Sequence, residues 1–569
     1  MLVMAVISGR LVQLQGFQGA AYRDEASVAR LSSVVIPARR GMITDRNGQP
    51  LALTVDARAV VANPMLIKDD FAKHGHDPAD TANQLAPLLG VPASDILDRL
   101  RRTNQFQYLA RGLTPEQGDA ITAYVSKHQL AGIGVYSDPK RAYPAGDLAA
   151  NVIGFLGADP DHPLAGYEMS LNDILKGEPG SQTGEIGLSG TVIPVANSKT
   201  QAAVPGTGVQ LTIDRDVQWE AQKLLADQVA STRADGGSVT VMNVRTGEIL
   251  ALAVAPTFDA NNPGAAPVDA RGNAAVSTVY EPGSVSKVIT MAAGLQNGLV
   301  TPTTPFVVPD TIDVLGRTFR DAETHGVENL TLAGVLAKSS NVGTIQVAEK
   351  LGKDRLYAMM RAFGFGDVTG VGFPGESAGV LPPVAQWSDS TLPTVAFGQG
   401  VSVTALQVAS VYATIANDGV RIAPTLINGH VSPDGTVTPV APPDQRRVVS
   451  STVAAEVRGM LESVTSEQGT APAARIPGYR VAGKTGTAMR SDGHGGYSGF
   501  VSSFVGFAPA DDPQLVVSVV LDNPRTGHFG GQVAAPVFRD VMKFALQTLR
   551  IPPTGTAPKP YPLFPTKRR

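Results

Sequence analysis

Hydrophobic positions change their period several times along the chain, and the changes divide it. Residues 1 to 8, MLVMAVIS, are uniformly apolar, but Gly9 and Arg10 end the run well short of the roughly 20 residues that a spanning helix needs. No basic stretch precedes the run and no small-residue cleavage site follows it, so it does not read as a secretory signal. Leu11, Val12, Leu14, Phe17, Ala20 and Tyr22 continue at roughly helical spacing into the charged AYRDEASVAR. The apolar run reads either as a frayed, partly apolar N-terminus or as the outer end of a membrane anchor whose beginning is missing, and we expect residues 1–35 to be such a partial anchor followed by a stalk. From 36 to 205, strand-like runs near Ala57 to Ala62 and Ile153 to Leu156 alternate with helical patches and turns such as Arg46-Asn47-Gly48 and Tyr143-Pro144. A Pro/Gly loop, VPGTG at 204–208, marks a domain boundary, and after it comes a helix with Val217, Leu224, Leu225 and Val229 on one face. The 206–550 zone opens on the hairpin GGSVTVMNV and EILALAV around Arg245-Thr246-Gly247. It closes on a second apolar hairpin, VSSFVGFAP and QLVVSVVLD across Asp511-Asp512-Pro513, and a helix from Ala534 to Leu549. Strands at both ends with helices between them predict an α+β domain, one sheet covered by helices. The remaining 551–569, IPPTGTAPKPYPLFPTKRR, is Pro-rich and is expected to be a disordered or extended tail.

Composition narrows what such a chain does. Its 569 residues suffice for two to four domains at about 150 residues each. Lys and Arg total 47 against 50 acidic residues, a net charge of −3, which argues against a nucleic-acid partner. With no cysteine, thiolate nucleophiles, iron–sulfur clusters, Cys-ligated zinc and disulfides are excluded. His74-Gly-His76 has no further ligands at metal spacing and reads as an exposed loop, so no metal is expected and no cofactor is implied.

Three short motifs in the last zone carry chemistry. In Ser284-Val-Ser-Lys287, preceded by Glu281-Pro282-Gly283, Pro and Gly mark a helix start, and the three-residue spacing puts Ser284 and Lys287 on one face. A serine hydroxyl becomes a useful nucleophile when a base takes its proton. A lysine amine serves as that base once burial, a neighbouring cation and the helix dipole disfavour its ammonium form. In Ser339-Ser340-Asn341, at the junction of two helical stretches, a hydroxyl is available to relay a proton and an amide to orient a substrate carbonyl and the lysine. The same tripeptide also reads as an ordinary N-cap pair. In Lys484-Thr485-Gly486-Thr487, a strand would present a cation and two hydroxyls to an anionic group, with Gly486 allowing substrate close to the backbone. Gly478 and Gly483-Lys484-Thr485 also fit a phosphate-loop pattern, but APAARIP is no buried strand and the Gly/Ser-rich stretch to Gly499 is no helix. Singly each motif is weak. Together, with SxN 55 residues after Ser284 and KTG 145 beyond Ser339, they form the serine acyl-transfer set of penicillin-binding proteins and β-lactamases.

The sequence resembles a class B penicillin-binding protein, a monofunctional peptidoglycan DD-transpeptidase, and is most similar to the division-specific branch. ARRGMITDRNGQPLA (38–52), RAYPAGDLAANVIGFLG (141–157), GYEMSLNDILKGEPG (166–180), VYEPGSVSK (279–287), KSSNVG (338–343), FGQGVSVTALQ (397–407), GKTGTA (483–488) and FGGQVAAPVF (529–538) all look like family blocks. The resemblance implies a penicillin-binding protein dimerisation-type pedestal at 36–205 and a transpeptidase domain at 206–550. It implies Ser284 as the acylated nucleophile, Lys287 as base, and Ser339 and Asn341 as relay and orienter. Lys484, Thr485, Gly486 and Thr487 would bind the substrate carboxylate and β-lactams, with the N–H groups of Ser284 and Thr487 as oxyanion hole. The implied substrates are peptidoglycan stem peptides, and the implied setting is septal cell-wall synthesis on a single-pass membrane protein whose catalytic domain lies outside the cytoplasm. The implied partners are a SEDS-family glycan polymerase and division proteins. Two alternatives stand beside this reading: a hydrolase of the same superfamily (DD-carboxypeptidase or β-lactamase), and a scaffold that activates a glycan polymerase. No convincing deacylating glutamate motif lies between Asn341 and Lys484.

Overall fold

A computed structural model describes residues 2–14, 31–157, 162–186, 192–193 and 199–565. The expected stalk between residues 15 and 30 lies outside them. The N-terminal apolar run forms a helix, Leu2–Val12, and among the described residues no helix is long and apolar enough to cross a membrane.

The C-terminal half is built on a five-stranded antiparallel sheet: β1 (Gly236–Asn243), β2 (Ile249–Ala255), β3 (Ala482–Ser491), β4 (Tyr497–Ala508) and β5 (Leu515–Asp522), in the order β2-β1-β5-β4-β3. The two hairpins read from the sequence pair as expected, β1 with β2 and β4 with β5, and the chain ends join through β1 and β5 (Val239 opposite Val519). Helices Arg215–Thr232 and Ala535–Thr548 cover one face and Ala405–Ala416 the other. Central β5 is therefore buried on both faces, which explains why LVVSVVLD reads as an unbroken apolar run without alternation. On the Ala405–Ala416 side a cluster of helices, Lys287–Gln296, Leu332–Lys338, Asn341–Leu351 and Ser451–Val464, brings the first two motifs toward the edge strand β3.

The pedestal is not one body. Strand Arg58–Ala62, flanked by Gln107–Leu113 and Ile133–Ser137, packs with four helices into a lobe whose own core includes Val60, Ile67, Leu85, Ile96, Leu109, Ile121 and Ile133. The rest of the pedestal shares a core with the catalytic half, in which Ile43, Leu51, Tyr143 and Tyr167 are continuous with Val209, Leu211 and Leu250. Its strands Ile43–Thr44 and Pro50–Val55 join one sheet with Gly208–Leu211 and Ile427–Val431. The VPGTG loop thus marks a change in sequence pattern but no break in packing. Beneath this joint, Glu168 is fully buried and ion-paired to Arg40 (2.6 Å) and Arg141 (2.7 Å), so three of the family-like blocks meet at one carboxylate. A carboxylate out of water needs such partners on both oxygens.

Two expectations are corrected. Ile153 to Leu156 is not a strand. Helix Ala150–Ile153 ends at Gly154, whose φ of 80° and whose contact with Ala165 O leave no room for a side chain. The Pro-rich tail is extended, as proline requires, but residues 551–565 are fastened to the catalytic half and not disordered. Tyr479 OH donates to Ile551 O (2.6 Å), Ser463 Oγ to Tyr561 O (3.3 Å), and Thr331 donates through N to Leu563 O (2.9 Å) and through Oγ1 to Pro562 O (2.6 Å). Leu563 is buried, and its carbonyl lies where a Cβ on Gly334 would be, 2.1 Å away. Helix propensity alone would have Gly334→Ala stabilise the Leu332–Lys338 helix by about 1 kcal/mol. The expected outcome is instead release of the tail, read as faster limited proteolysis after residue 551; a tail as resistant as in the wild type would refute the packing argument.

Candidate active site

Gly283, at φ 57°, turns the chain into a single 3-10 turn, Gly283–Ser286, that runs on as the helix Lys287–Gln296. In a 3-10 turn residues three apart eclipse one another, so Ser284 and Lys287 share a face, Ser284 half-buried and Lys287 fully buried. The turn is gripped from several sides. Tyr412 OH donates to Val285 O at 2.7 Å, and Gly283 N donates to Gly398 O at 3.0 Å. Against the sheet, a Cβ on Gly486 would lie 3.0 Å from Val285 Cγ1 and 2.3 Å from Ser503 Oγ. Gly486 therefore admits the serine-bearing turn onto β3.

The second motif divides its labour. Helix Leu332–Lys338 ends on Ser339, a non-glycine residue at φ 62°, and helix Asn341–Leu351 starts immediately after Ser340. Ser340 is the N-cap, its Oγ accepting from Gly343 N at 2.9 Å, so the ordinary capping reading holds for that residue alone. Ser339 and Asn341 face Lys287: Nζ donates to Ser339 O (2.5 Å) and Asn341 Oδ1 (2.7 Å), with Ser339 Oγ at 3.4 Å. Asn341 Nδ2 donates to Arg320 O (2.9 Å), which fixes the amide so that its oxygen faces the lysine.

Lys484 lies on β3, fully buried. Its amine donates to Thr485 O (3.2 Å) and Thr485 Oγ1 (3.1 Å), and Thr485 Oγ1 in turn meets Thr470 Oγ1 (2.9 Å). Thr487 Oγ1 accepts from Gly530 N at 3.1 Å. Among the described residues β3 pairs only with β4, so alternate N–H groups along it are left out of the ladder. Loss of hydration on burial draws the Lys287 amine down to about 7, against the opposing attraction of the Asp321 carboxylate. Burial, and then the charge of Lys287, hold Lys484 well below the usual lysine range. Two amines out of water and close together resist carrying two protons.

The structure thus brings Lys287 to Ser339 and Asn341, and seats the Ser284 turn on the strand that carries Lys484 to Thr487. Lys484-Thr485 falls inside a ten-residue strand with no helix after it, so the phosphate-loop geometry is absent. His74 and His76 both bond Asp70 on the surface, and no metal-holding cluster occurs among the described residues. Sequence reasoning missed Asp321, Thr470 and Tyr412. Each comes from a segment with no motif of its own, so no local signal marked it.

The chain is similar to known proteins over nearly its whole length. The family model for the penicillin-binding protein transpeptidase domain matches residues 237–543, and that for the penicillin-binding protein dimerisation domain matches residues 35–211. The chain is 38% identical to penicillin-binding protein PbpB of Mycolicibacterium smegmatis, over 97% of this chain and 89% of the relative. It is 34% identical to the peptidoglycan D,D-transpeptidase FtsI of Escherichia coli, over 97% and 91%. Among solved structures, penicillin-binding protein 3 of Mycobacterium tuberculosis in complex with ampicillin is similar at 35% identity and a TM-score of 0.72, covering 94% of this chain and all of that one (100%). With both family models matched in order and relatives of this identity aligned over nearly its whole length, the chain belongs to the penicillin-binding proteins of class B, in their division-type branch.

Proposed function

We propose that the protein is a serine DD-transpeptidase that cross-links peptidoglycan stem peptides in septal wall synthesis and is acylated by β-lactams. The observation that carries this reading is the state of Lys287. A neutral amine has two N–H donors and one lone pair; Ser339 O and Asn341 Oδ1 take the donors, which leaves the lone pair for the Ser284 hydroxyl one turn earlier. Ser284 Oγ attacks the carbonyl carbon of the penultimate D-alanine while its proton passes to Lys287 Nζ. The oxyanion is met by the N–H groups of Ser284 and Thr487. On collapse the C–N bond breaks, the proton goes to the departing D-alanine amine with Ser339 Oγ as relay, and an acyl-enzyme remains. An amine of a neighbouring stem then attacks the ester, loses its proton to Lys287, and Ser284 is regenerated. Asn341 holds the lysine and the substrate amide; Lys484, Thr485, Gly486 and Thr487 form the edge on which the terminal carboxylate or that of a β-lactam rests. The hydrolase alternative is disfavoured because Glu462, the buried carboxylate between Asn341 and Lys484, is bound to Arg480, and the half-buried Glu376 is bound to Thr369.

Penicillin treatment should add a single adduct to the intact mass, and Ser284→Ala should abolish it without unfolding the protein. Labelling that persists in that variant, or a second labelled peptide, would remove Ser284 from its role. Lys484→Ala deletes a charge-assisted hydrogen bond worth about 1.5 to 3 kcal/mol, so acylation should slow roughly ten- to a hundred-fold. A β-lactam or thioester without the carboxylate should show little of that loss, and an equal loss on both would point to another role for Lys484.

The domains follow the same reading: a stalk and membrane anchor at 1–35, the pedestal at 36–205, the transpeptidase at 206–550. We assign to the pedestal a membrane partner, a SEDS-family glycan polymerase, with the catalytic half held outside the cytoplasm. The lobe of residues 57–138 is the part available for this, since it has its own core and hangs from two strands that pair with each other, Val55 opposite Lys140. Replacing 57–138 by a short Gly/Ser turn across that pair should leave penicillin acylation intact and abolish co-purification with the polymerase. Retained co-purification would overturn the assignment.

A further inference from the structure

Helix Asn341–Leu351 begins with four backbone N–H groups that have no partner inside the helix. The N-cap Ser340 supplies two acceptors, Oγ for Gly343 (2.9 Å) and its carbonyl for Thr344 (3.4 Å). The first two N–H groups go to a residue 20 positions away in sequence: Asp321 Oδ1 accepts from Asn341 N at 2.5 Å and from Val342 N at 3.0 Å. The other carboxylate oxygen, Oδ2, lies 3.1 Å from His325 Nε2, while His325 Nδ1 lies 2.6 Å from Gly326 O. Both ring nitrogens face acceptors, so both contacts are hydrogen bonds in the imidazolium form. Asp321 comes at the end of strand Arg317–Arg320, whose Arg320 O holds the Asn341 amide and whose Phe319 packs edge-on against Phe397. One short strand and the residue after it thus fix both the backbone and the side chain of Asn341, and through Asn341 the Lys287 amine.

We propose that Asp321 is a positioning residue for acylation: its carboxylate, clamped by His325, fixes the Ser339–Asn341 turn that holds Lys287 and supplies a negative charge that acts on that amine. The role is separable from simple helix capping. A neutral amide in the same place keeps an acceptor for the two N–H groups but removes the charge. That charge favours the protonated form of Lys287, whereas acylation uses the neutral form, so the two effects oppose each other in a way that pH exposes. The groups facing this network are Lys287 and, beyond it, Lys484 from the catalytic side, and Asp310, Glu328 and His325 from the strands and loop around Asp321. Against the pull of burial, its bonds to Gly326 O and Asp321 and the charges of Asp321 and Glu328 hold His325 above the usual imidazole range.

The proposal rests on Ser284 and Lys287 acting as nucleophile and base, and its test keeps the two apart. Second-order acylation by a fluorescent penicillin is measured from pH 5.5 to 9 on the full chain, with Ser284→Ala as control. In the wild type the rate should rise through about pH 7 as Lys287 becomes neutral. Asp321→Ala should lower the whole curve by roughly ten- to a hundred-fold. Asp321→Asn should recover most of the plateau and move the inflection to lower pH, which a purely structural cap would not do. An Asp321→Asn inflection that stays with the wild type overturns the proposal, and this variant decides the matter even if Asp321→Ala fails to fold. Labelling that survives Ser284→Ala fails the underlying reading, whatever the Asp321 variants do.

Discussion

A lysine amine taken wholly out of water is the constraint around which the catalytic half is arranged. Lys287 keeps its place because both of its N–H donors find oxygens, and the oxygens exist only because the chain breaks between two helices at Ser339. That break costs a left-handed residue that is not glycine, a conformation disfavoured by about 1 kcal/mol or more. Its return is that a main-chain carbonyl and the first side chain of the next helix converge on a single nitrogen. The second buried lysine raises the stakes. With Lys484 nearby, a proton on either amine opposes a proton on the other, and burial draws the Lys287 amine down to about 7.

Holding that geometry is the work of elements far apart in sequence. The Ser284 turn is pressed onto β3 through Gly486, onto the 398 loop through Gly283, and under the Tyr412 hydroxyl. The helix that ends at Ser339 begins at Thr331, and Thr331 is tied to the C-terminal tail by bonds to Pro562 and Leu563. The C-terminal segment around Pro562 and Leu563 thereby braces the same motif that Asp321 holds from the other end. Such over-determination is what a strained residue at a reactive centre requires, since no single local contact would keep it.

The pedestal shows a different economy. Its inner part shares sheet and core with the catalytic half and contains the Arg40–Glu168–Arg141 cluster, so the two are one packing unit. Its outer lobe has a separate core and a two-strand connection. A displacement of the lobe would act on its own core and its two-strand connection, whereas any reorientation of the inner pedestal would be felt at the sheet that joins it to the catalytic half.

Much of this was legible in the chain itself. The α+β class, the two hairpins, the closing helix and the helix after residue 214 follow from runs of apolar residues and turn signals, because those patterns record which faces lose water. The three motifs were legible as well, since SxxK, SxN and KTG each place particular side chains at fixed spacing. Local sequence could not distinguish Ser340, a cap, from its neighbours Ser339 and Asn341, which face Lys287; the distinction depends on a helix 50 residues earlier. Nor could it show that Gly486 yields to Val285, that Asp321 caps a helix 20 residues later, or that a proline-rich tail is pinned at Thr331. Period and composition report burial one element at a time. Hydrogen bonds between elements depend on distances that only the packed chain sets, and in this protein those bonds decide which of the legible residues can act together.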